Sequence, residues 1–157
     1  MNNIVICGIG LIGGSIAKGL SKDNFNIYVI DSNHDSKNNA IKNKHAQEVM
    51  RSVEEAKKLE DGIFIFATPP ATTLDILKQN KWLLGSNFSV TDVTSVKTEL
   101  LKYLKGFDAD NFILSHPISG SHLSGFKNSS ENLFAGKTTI ISSLGSSKFH
   151  LDRIQNL

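Results

Sequence analysis

The sequence predicts an α/β domain built on a doubly wound, mostly parallel β-sheet, and three observations support this prediction. Short apolar runs of strand length recur along the 157 residues and alternate with segments whose apolar residues have helical spacing. Residues 62–67 are apolar throughout, which is typical of a strand covered on both faces. A glycine-rich turn joins the first strand to the first helix. Alternating strands and helices form parallel sheets with right-handed crossovers.

The first strand, turn and helix are predicted at the amino terminus. Residues 4–7 form an apolar run, the motif Gly-x-Gly-x-x-Gly follows at once, and residues 11–20 have helical periodicity. In a Rossmann-type turn the glycines allow a tight bend, a close approach to a pyrophosphate and close helix packing. The helix amides, at the positive end of the helix dipole, face the phosphates. The predicted phosphate-binding residues are Gly8, Gly10, Leu11, Ile12 and Gly13.

A second predicted strand, residues 26–30, ends in Asp31, which lies 23 residues after Gly8. An acidic residue about 20 positions after the glycines binds the adenosine ribose in such folds. A carboxylate accepts hydrogen bonds from the 2′-hydroxyl and repels a 2′-phosphate, so the predicted cofactor is NAD. Two simpler interpretations exist: the glycines form an ordinary turn, and Asp31 caps the next turn.

The next elements follow in order. Residues 32–44 are polar and predict a loop with a short solvent-facing helix. Residues 52–59 predict a helix that begins with the capping box Ser52-x-x-Glu55. After the buried strand at 62–67, Thr68-Pro69-Pro70 ends the ladder, and Thr72-x-x-Asp75 predicts the start of a helix that runs to about residue 81.

The second half repeats the pattern. The sequence predicts strands at 88–91 and 111–115, a turn at 92–95, a helix at 96–104 and His116-Pro117 as the end of the later strand. Residues 115–136 then predict a long loop, and a loop of that length inside a compact domain is usually functional. A last strand at 138–142 and a helix at 148–157 complete the chain.

Composition limits the other function classes. The length fits one domain, and a net charge of +2 with scattered basic residues does not indicate nucleic-acid binding. No apolar segment is long enough to span a bilayer, so no membrane association is expected. Cys7 is the one cysteine, which fits a buried inert thiol in a cytoplasmic protein. The sequence holds no CxxC, HExxH or GxSxG motif, so no metal site is predicted.

Three turns at the carboxyl ends of predicted strands carry polar residues, and ligands of open parallel sheets bind at that edge. They contain Thr68, residues 92–95 and His116. His116 is the best general-base candidate because histidine titrates near neutral pH. A histidine that merely fills a turn before proline is an equally good interpretation. Ser95 precedes a predicted helix and is equally suited to cap it.

Several motifs, in order along the chain, resemble the nucleotide-binding domain of prephenate dehydrogenases and their arogenate-using relatives. They are residues 8–15 (GIGLIGGS), 67–69 (ATP), 91–97 (TDVTSVK), 116–121 (HPISGS) with 124–125 (SG), and 133–137 (LFAGK). Together they are far more specific than the glycine motif alone.

The resemblance implies NAD-dependent oxidative decarboxylation of prephenate, or of arogenate, in tyrosine biosynthesis. The family's histidine falls on His116, which would accept the proton of the ring hydroxyl. Its serine falls on Ser95, which would orient that histidine and the substrate. Thr68 belongs to a matching motif at the predicted cofactor edge, and Ser121 matches a position near the substrate.

The chain also departs from the family pattern. His122 stands where many members have a glutamate, which leaves the role of that carboxylate open. The family's second, helical domain, which completes the substrate site and forms a homodimer, is not among residues 1–157, which are expected to form the dinucleotide-binding domain. Two other functions remain open at this point: a stand-alone NAD-binding or sensing module, and a related reductase such as a β-hydroxyacid dehydrogenase.

Overall fold

The computed structural model describes residues 3–145 and 147–157, in which strands and helices alternate. The strands are β1 (Asn3–Cys7), β2 (Asn26–Ile30), β3 (Glu48–Val49), β4 (Gly62–Phe66), β5 (Phe88–Asp92), β6 (Phe112–Pro117) and β7 (Thr139–Ser143). The α-helices are α1 (Leu11–Leu20), α2 (His34–Lys42), α3 (Pro70–Gln79), α4 (Thr98–Leu104) and α5 (Lys148–Gln155). Short 3₁₀ helices occupy Val53–Leu59, Lys81–Leu83 and Phe126–Asn128.

All seven strands form one sheet in the order β3-β2-β1-β4-β5-β6-β7. The pairings from β3 to β6 are parallel, and β7 pairs antiparallel with β6. The chain extends the sheet to one side from β1 and to the other side from β4, so the switch in strand order lies between these two strands. This crevice is where open α/β sheets bind their ligands. The predicted doubly wound, mostly parallel sheet is confirmed.

Each face of the sheet has its own buried core. Alternate strand residues point to opposite faces. One face carries the aromatic side chains of the central strands and is covered by α3 and α4, through Leu77, Leu100 and Leu104. The other face is rich in isoleucine and is covered by α1 and α5, through Ala17 and Ile154. Within the described ranges, no helix is both long and apolar enough to cross a membrane.

The end of β6 differs from the prediction that His116-Pro117 terminates the strand. β6 continues through Pro117, where His116 pairs with Ile140 of β7. Ile118 then donates a backbone hydrogen bond of 2.8 Å to Thr138. Because alternate residues of an antiparallel strand bond to the partner, position 117 needs no N–H on the β7 side, and proline is tolerated.

Two helices begin at other residues than predicted. α3 starts at Pro70, with Pro69 as its N-cap, and Thr72 lies inside it. Proline suits the first helical position because the N–H it lacks would have no partner there. α4 starts at Thr98, two residues later than predicted, and Lys97 is its N-cap. Ser95 therefore does not cap this helix.

The capping box predicted at residues 52–59 does not form. This segment is a 3₁₀ helix, and the Ser52 side chain makes no capping hydrogen bond. The Glu55 carboxylate instead accepts a hydrogen bond of 3.2 Å from the backbone N–H of Arg51.

Candidate active site at the carboxyl edge of the sheet

The glycine turn between β1 and α1 is packed against the end of β4. Gly8 has a φ of +91°, and a Cβ atom on it would lie 2.7 Å from the carbonyl oxygen of Ala67 and 2.8 Å from the Thr68 side chain. A Cβ on Gly13 would lie 1.9 Å from the carbonyl oxygen of Gly8. These two positions can therefore accommodate only glycine, as the motif predicts. Thr68, predicted to lie at the cofactor edge, is in direct contact with the turn.

The first turn of α1 is open to a ligand. Gly10 is the N-cap, no side chain caps the helix, and its first turn has no acidic residue. A Cβ on Gly10 would meet no atom within 4 Å. The amides of Leu11, Ile12 and Gly13 lie at this helix end, where the helix dipole favours an anion. The geometry fits the pyrophosphate of a dinucleotide.

Asp31 lies just beyond β2 and contacts the glycine turn. Its Oδ2 accepts a hydrogen bond of 2.7 Å from the backbone N–H of Ile9, and its Oδ1 accepts one of 2.7 Å from Asn33. The hydrogen bond from Asn33 shows that Asp31 caps the following turn, as the simpler interpretation suggests. Asp31 remains half-exposed, so its carboxylate can still accept a ribose hydroxyl.

Asp31 also affects the thiol at the end of β1. Burial, and secondarily the negative charge of Asp31, raises the pKa of Cys7 to about 12. The thiol is buried and free. A protonated buried thiol is unreactive, which agrees with the structural role expected for Cys7.

His116 and Ser95 lie at the ends of the adjacent strands β6 and β5. Asp92, the last residue of β5, pairs with Leu114, two residues before His116. His116 is half-buried, and its Nδ1 is buried without a hydrogen-bond partner among the described residues. Ser95 is exposed on the turn that follows β5. No hydrogen bond joins the two side chains in the part of the chain that the structure describes.

A buried ion pair, which the sequence analysis did not identify, lies below this edge. The side chain of Asp92 is fully buried, and its Oδ2 accepts hydrogen bonds from Lys97 Nζ and from the backbone N–H of Thr94, the latter at 3.1 Å. Lys97 Nζ also donates to the carbonyl oxygen of Ser115 at 2.7 Å. Burial lowers the pKa of Lys97, and the charge of Asp92 opposes that shift. No sequence pattern reveals this pair, because a spacing of five residues in a turn matches neither helix nor strand.

Ser121, the predicted substrate contact, is exposed in the loop that follows β6. The later part of this loop is fixed to α1: Ser15 Oγ accepts a hydrogen bond of 2.9 Å from the Ser130 N–H, and Lys18 Nζ donates one of 2.8 Å to the Ser129 carbonyl. The loop is therefore held against the cofactor helix while Ser121 stays accessible.

The predicted site residues thus form two groups at one edge of the sheet. Asp31 and Thr68 each contact the glycine turn, whereas His116 and Ser95 lie on the β5 and β6 side. From β2 to β6 there are four inter-strand steps of about 4.8 Å, or about 19 Å in all. An extended dinucleotide crosses such a crevice from ribose to reacting ring. Among the described residues, no group of three or more His, Cys, Asp or Glu side chains could hold a metal ion.

Comparison with known proteins identifies the family. Residues 16–157 match the family model described as prephenate dehydrogenase, nucleotide-binding domain. A prephenate dehydrogenase of Lactococcus lactis is 32% identical over 142 residues, which cover 85% of this chain and 39% of that enzyme.

Solved structures agree with this match. The crystal structure of Aquifex aeolicus prephenate dehydrogenase, in complex with hydroxyphenyl propionate and NAD+, has a TM-score of 0.87 at 30% identity. The alignment covers 99% of this chain and 56% of that one. Synechocystis arogenate dehydrogenase shares the fold, with a TM-score of 0.87 at 23% identity, over 98% of this chain and 55% of that one.

This chain spans between about two fifths and three fifths of these relatives' length. The family match covers most of its residues, including His116, Ser95 and Asp31. The chain belongs to the prephenate dehydrogenase family, of which it represents the nucleotide-binding domain.

Proposed function

We propose that this chain is the NAD-binding domain of an enzyme that oxidatively decarboxylates prephenate, or its amino counterpart arogenate. The placement of His116 and Ser95 at adjacent strand ends, at the same edge of the sheet as an open glycine turn, is the observation that carries this proposal. The family match and the likeness to an enzyme solved with NAD+ support it. The alternative of a β-hydroxyacid dehydrogenase is not supported by the family match.

The glycine turn and Asp31 bind the cofactor in this proposal. Leu11, Ile12 and Gly13 present their amides to the pyrophosphate, and Gly10 leaves room for its approach. Asp31 accepts a hydrogen bond from the adenosine ribose, which selects NAD over NADP. Thr68 lies against the turn on the nicotinamide side. The bound NAD supplies the acceptor for the hydride that leaves the carbinol carbon of the substrate.

His116 accepts the proton of the substrate's ring hydroxyl, and Ser95 orients the hydroxyl and the imidazole. Loss of carbon dioxide makes the ring aromatic, so the protein has mainly to position the reactants and remove one proton. Ser121, on the accessible loop, contacts the substrate. The complete enzyme forms a homodimer in the cytoplasm, as the family resemblance implies.

Steady-state kinetics on the full-length protein test this function. We expect NADH formation with prephenate or arogenate, and much slower reduction of NADP. Replacement of the proposed base, His116→Asn, should lower kcat by about 10²- to 10⁴-fold and leave the Kd for NAD within about twofold. Tight NAD binding without turnover of either substrate would instead support a stand-alone NAD-binding module.

A further inference from the structure

The ion pair between Asp92 and Lys97 connects the two segments that carry the proposed reacting groups. Asp92 ends β5, and Lys97 closes the turn on which Ser95 lies. Lys97 Nζ reaches across to β6, where it donates to the carbonyl oxygen of Ser115, the residue before His116. One ammonium group is therefore bonded both to the strand end preceding Ser95 and to the backbone preceding His116.

The turn itself is organised around the same carboxylate. Asp92 Oδ2 accepts from the backbone N–H and the hydroxyl of Thr94 as well as from Lys97. The Thr94 hydroxyl lies within 3.2 Å of the Val96 carbonyl oxygen. The residues on both sides of Ser95 are thus fixed, although its side chain is exposed.

The imidazole of His116 has no comparable support from a side chain. Its Nδ1 is buried and without a partner in the described ranges. The ring is carried by the backbone of β6, and Lys97 is bonded to that backbone at the preceding residue. Asp92 Oδ1 is also buried and has no hydrogen-bond partner among the described residues. It lies on the same face of the sheet as His116, because Asp92 pairs with Leu114.

Stability alone gives little reason for a charged pair at this position. Taking both charges out of water is costly, and well-packed apolar residues are often equally stable there. The Asp92 side chain is fully buried and that of Lys97 is 18% exposed. By contrast, a salt bridge of the same type, Glu99 with Lys102, has both side chains 68% exposed, and both of its residues lie on α4.

We propose that Asp92 and Lys97 are positioning residues of the dehydrogenase reaction, which hold Ser95 and His116 at a fixed separation. This inference rests on the proposed function. Neither residue needs to contact substrate or cofactor: the pair acts through the Ser115 carbonyl and the 92–97 turn. A displacement of about 1 Å between reacting groups can lower the rate about 10²-fold.

The test uses the full-length protein and a double variant, Asp92→Asn with Lys97→Met. Removing both charges together avoids leaving one of them buried alone, which could prevent folding. The matched control is Glu99→Gln with Lys102→Met, which removes the same charges from the exposed pair. For each protein, kcat, the KM of the substrate, the Kd for NAD and the urea unfolding midpoint are measured.

We expect the Asp92/Lys97 variant to lose at least about tenfold in kcat, while its Kd for NAD stays within about twofold of the wild type. The control variant should match the wild type in all four quantities. A folded Asp92/Lys97 variant with wild-type kcat would overturn the inference while leaving the proposed function intact. Loss of NAD affinity in parallel with kcat would also overturn it, because the pair would then stabilise the whole carboxyl edge of the sheet, including the cofactor site, and not only the positions of Ser95 and His116. A wild-type protein inactive on both substrates would refute the proposed function and this inference together.

Discussion

Gly13 is the residue with the least space for a side chain in the glycine turn. A Cβ there would lie 1.9 Å from the carbonyl oxygen of Gly8 and 3.0 Å from the Ala67 side chain. Neither backbone nor β-carbon can move aside as a flexible side chain could. We expect Gly13→Ala to lower the free energy of unfolding by about 1–3 kcal/mol, as overpacking does, and to weaken NAD binding. Urea unfolding and calorimetric titration measure the two effects.

Gly19→Ala is the matched control for this substitution. Gly19 lies in the same helix, and the nearest atom to its Cβ would be the Glu131 carbonyl oxygen at 3.6 Å, an ordinary contact. Alanine favours a helix by about 1 kcal/mol over glycine, so this variant should be as stable as the wild type or more so. Equal destabilisation by both substitutions would contradict the close packing at Gly13.

Asp31 is the residue that should decide cofactor choice. Its two oxygens already accept hydrogen bonds from Ile9 and Asn33, so the carboxylate is held in place before the ribose binds. Asp31→Asn removes the negative charge with little change in shape. We expect the affinity for NAD to fall about tenfold or more, since a hydrogen bond to a charged group contributes about 1.5–3 kcal/mol.

The preference for NAD over NADP should be smaller in the same variant, because the repulsion of the 2′-phosphate is lost. Calorimetric titration with both nucleotides gives the ratio of the Kd for NADP to the Kd for NAD. The exposed Asp35→Asn, in the first turn of α2, removes the same charge nearby and should leave that ratio unchanged. A ratio that is unaltered in Asp31→Asn would show that selectivity arises elsewhere.

At the scale of elements, the docking of α5 should depend on pH. His150 of α5 is buried, and its Nδ1 lies 2.8 Å from Ser89 Oγ on β5. Burial lowers the pKa of His150, with Arg153 acting in the same direction and Asp110 and Asp61 opposing. The unfolded state, with an ordinary pKa of 6.5, therefore takes up a proton more readily than the folded state.

The free energy of unfolding should accordingly fall as the pH is lowered from about 6.5 towards the folded-state pKa of His150. The stability that depends on neutral His150 is fully present above pH 6.5. His150→Gln, which can still bond to Ser89, should flatten part of that slope in urea unfolding between pH 7 and 5. His45, whose pKa burial also lowers, contributes in the same direction. The exposed His122→Gln is the control, and an unchanged slope in His150→Gln would contradict this account.

The elements that could be predicted are those with a strong local pattern. The apolar run of β4 and the glycine turn before α1 fix their own structure, so both occur where the sequence indicates. β3 has only two residues, and it is a strand because it pairs with β2. The antiparallel direction of β7 is likewise set by its partner. Such tertiary pairings leave no periodic signal.

At the scale of the whole molecule, the site too divides into residues with a local sequence pattern, which could be predicted, and residues that depend on a tertiary contact, which could not. Gly8 and Asp31 could be predicted from spacing, and the structure brings them together through Ile9. Lys97 could not be assigned a role, because its function depends on a carbonyl group of another strand, 18 residues away. Position and residue type predict His116 as a general base, whereas the orienting role of Ser95 is implied by the family resemblance, and both roles are proposals.

The exposure of the edge that carries the proposed catalytic residues leads to the last prediction. Ser95 and Ser121 are exposed, and the apolar side chains beside them are open as well: Val96 is 60% exposed and Ile118 49%. Closing an active site expels water, which strengthens the electrostatic interactions inside it and prevents side reactions. In the part of the chain that the structure describes, nothing encloses a substrate against His116.

We therefore expect residues 1–157 alone to bind NAD and to turn over prephenate slowly or not at all. Calorimetric titration should give saturable NAD binding, because Asp31 and the glycine turn are complete within this chain. The kcat of residues 1–157 alone should be at least about 10²-fold below that of the full-length protein, since water remains at the reacting groups. The decisive comparison is between the two proteins at saturating NAD. Equal turnover would contradict this expectation and would mean that the edge of this domain suffices for the reaction.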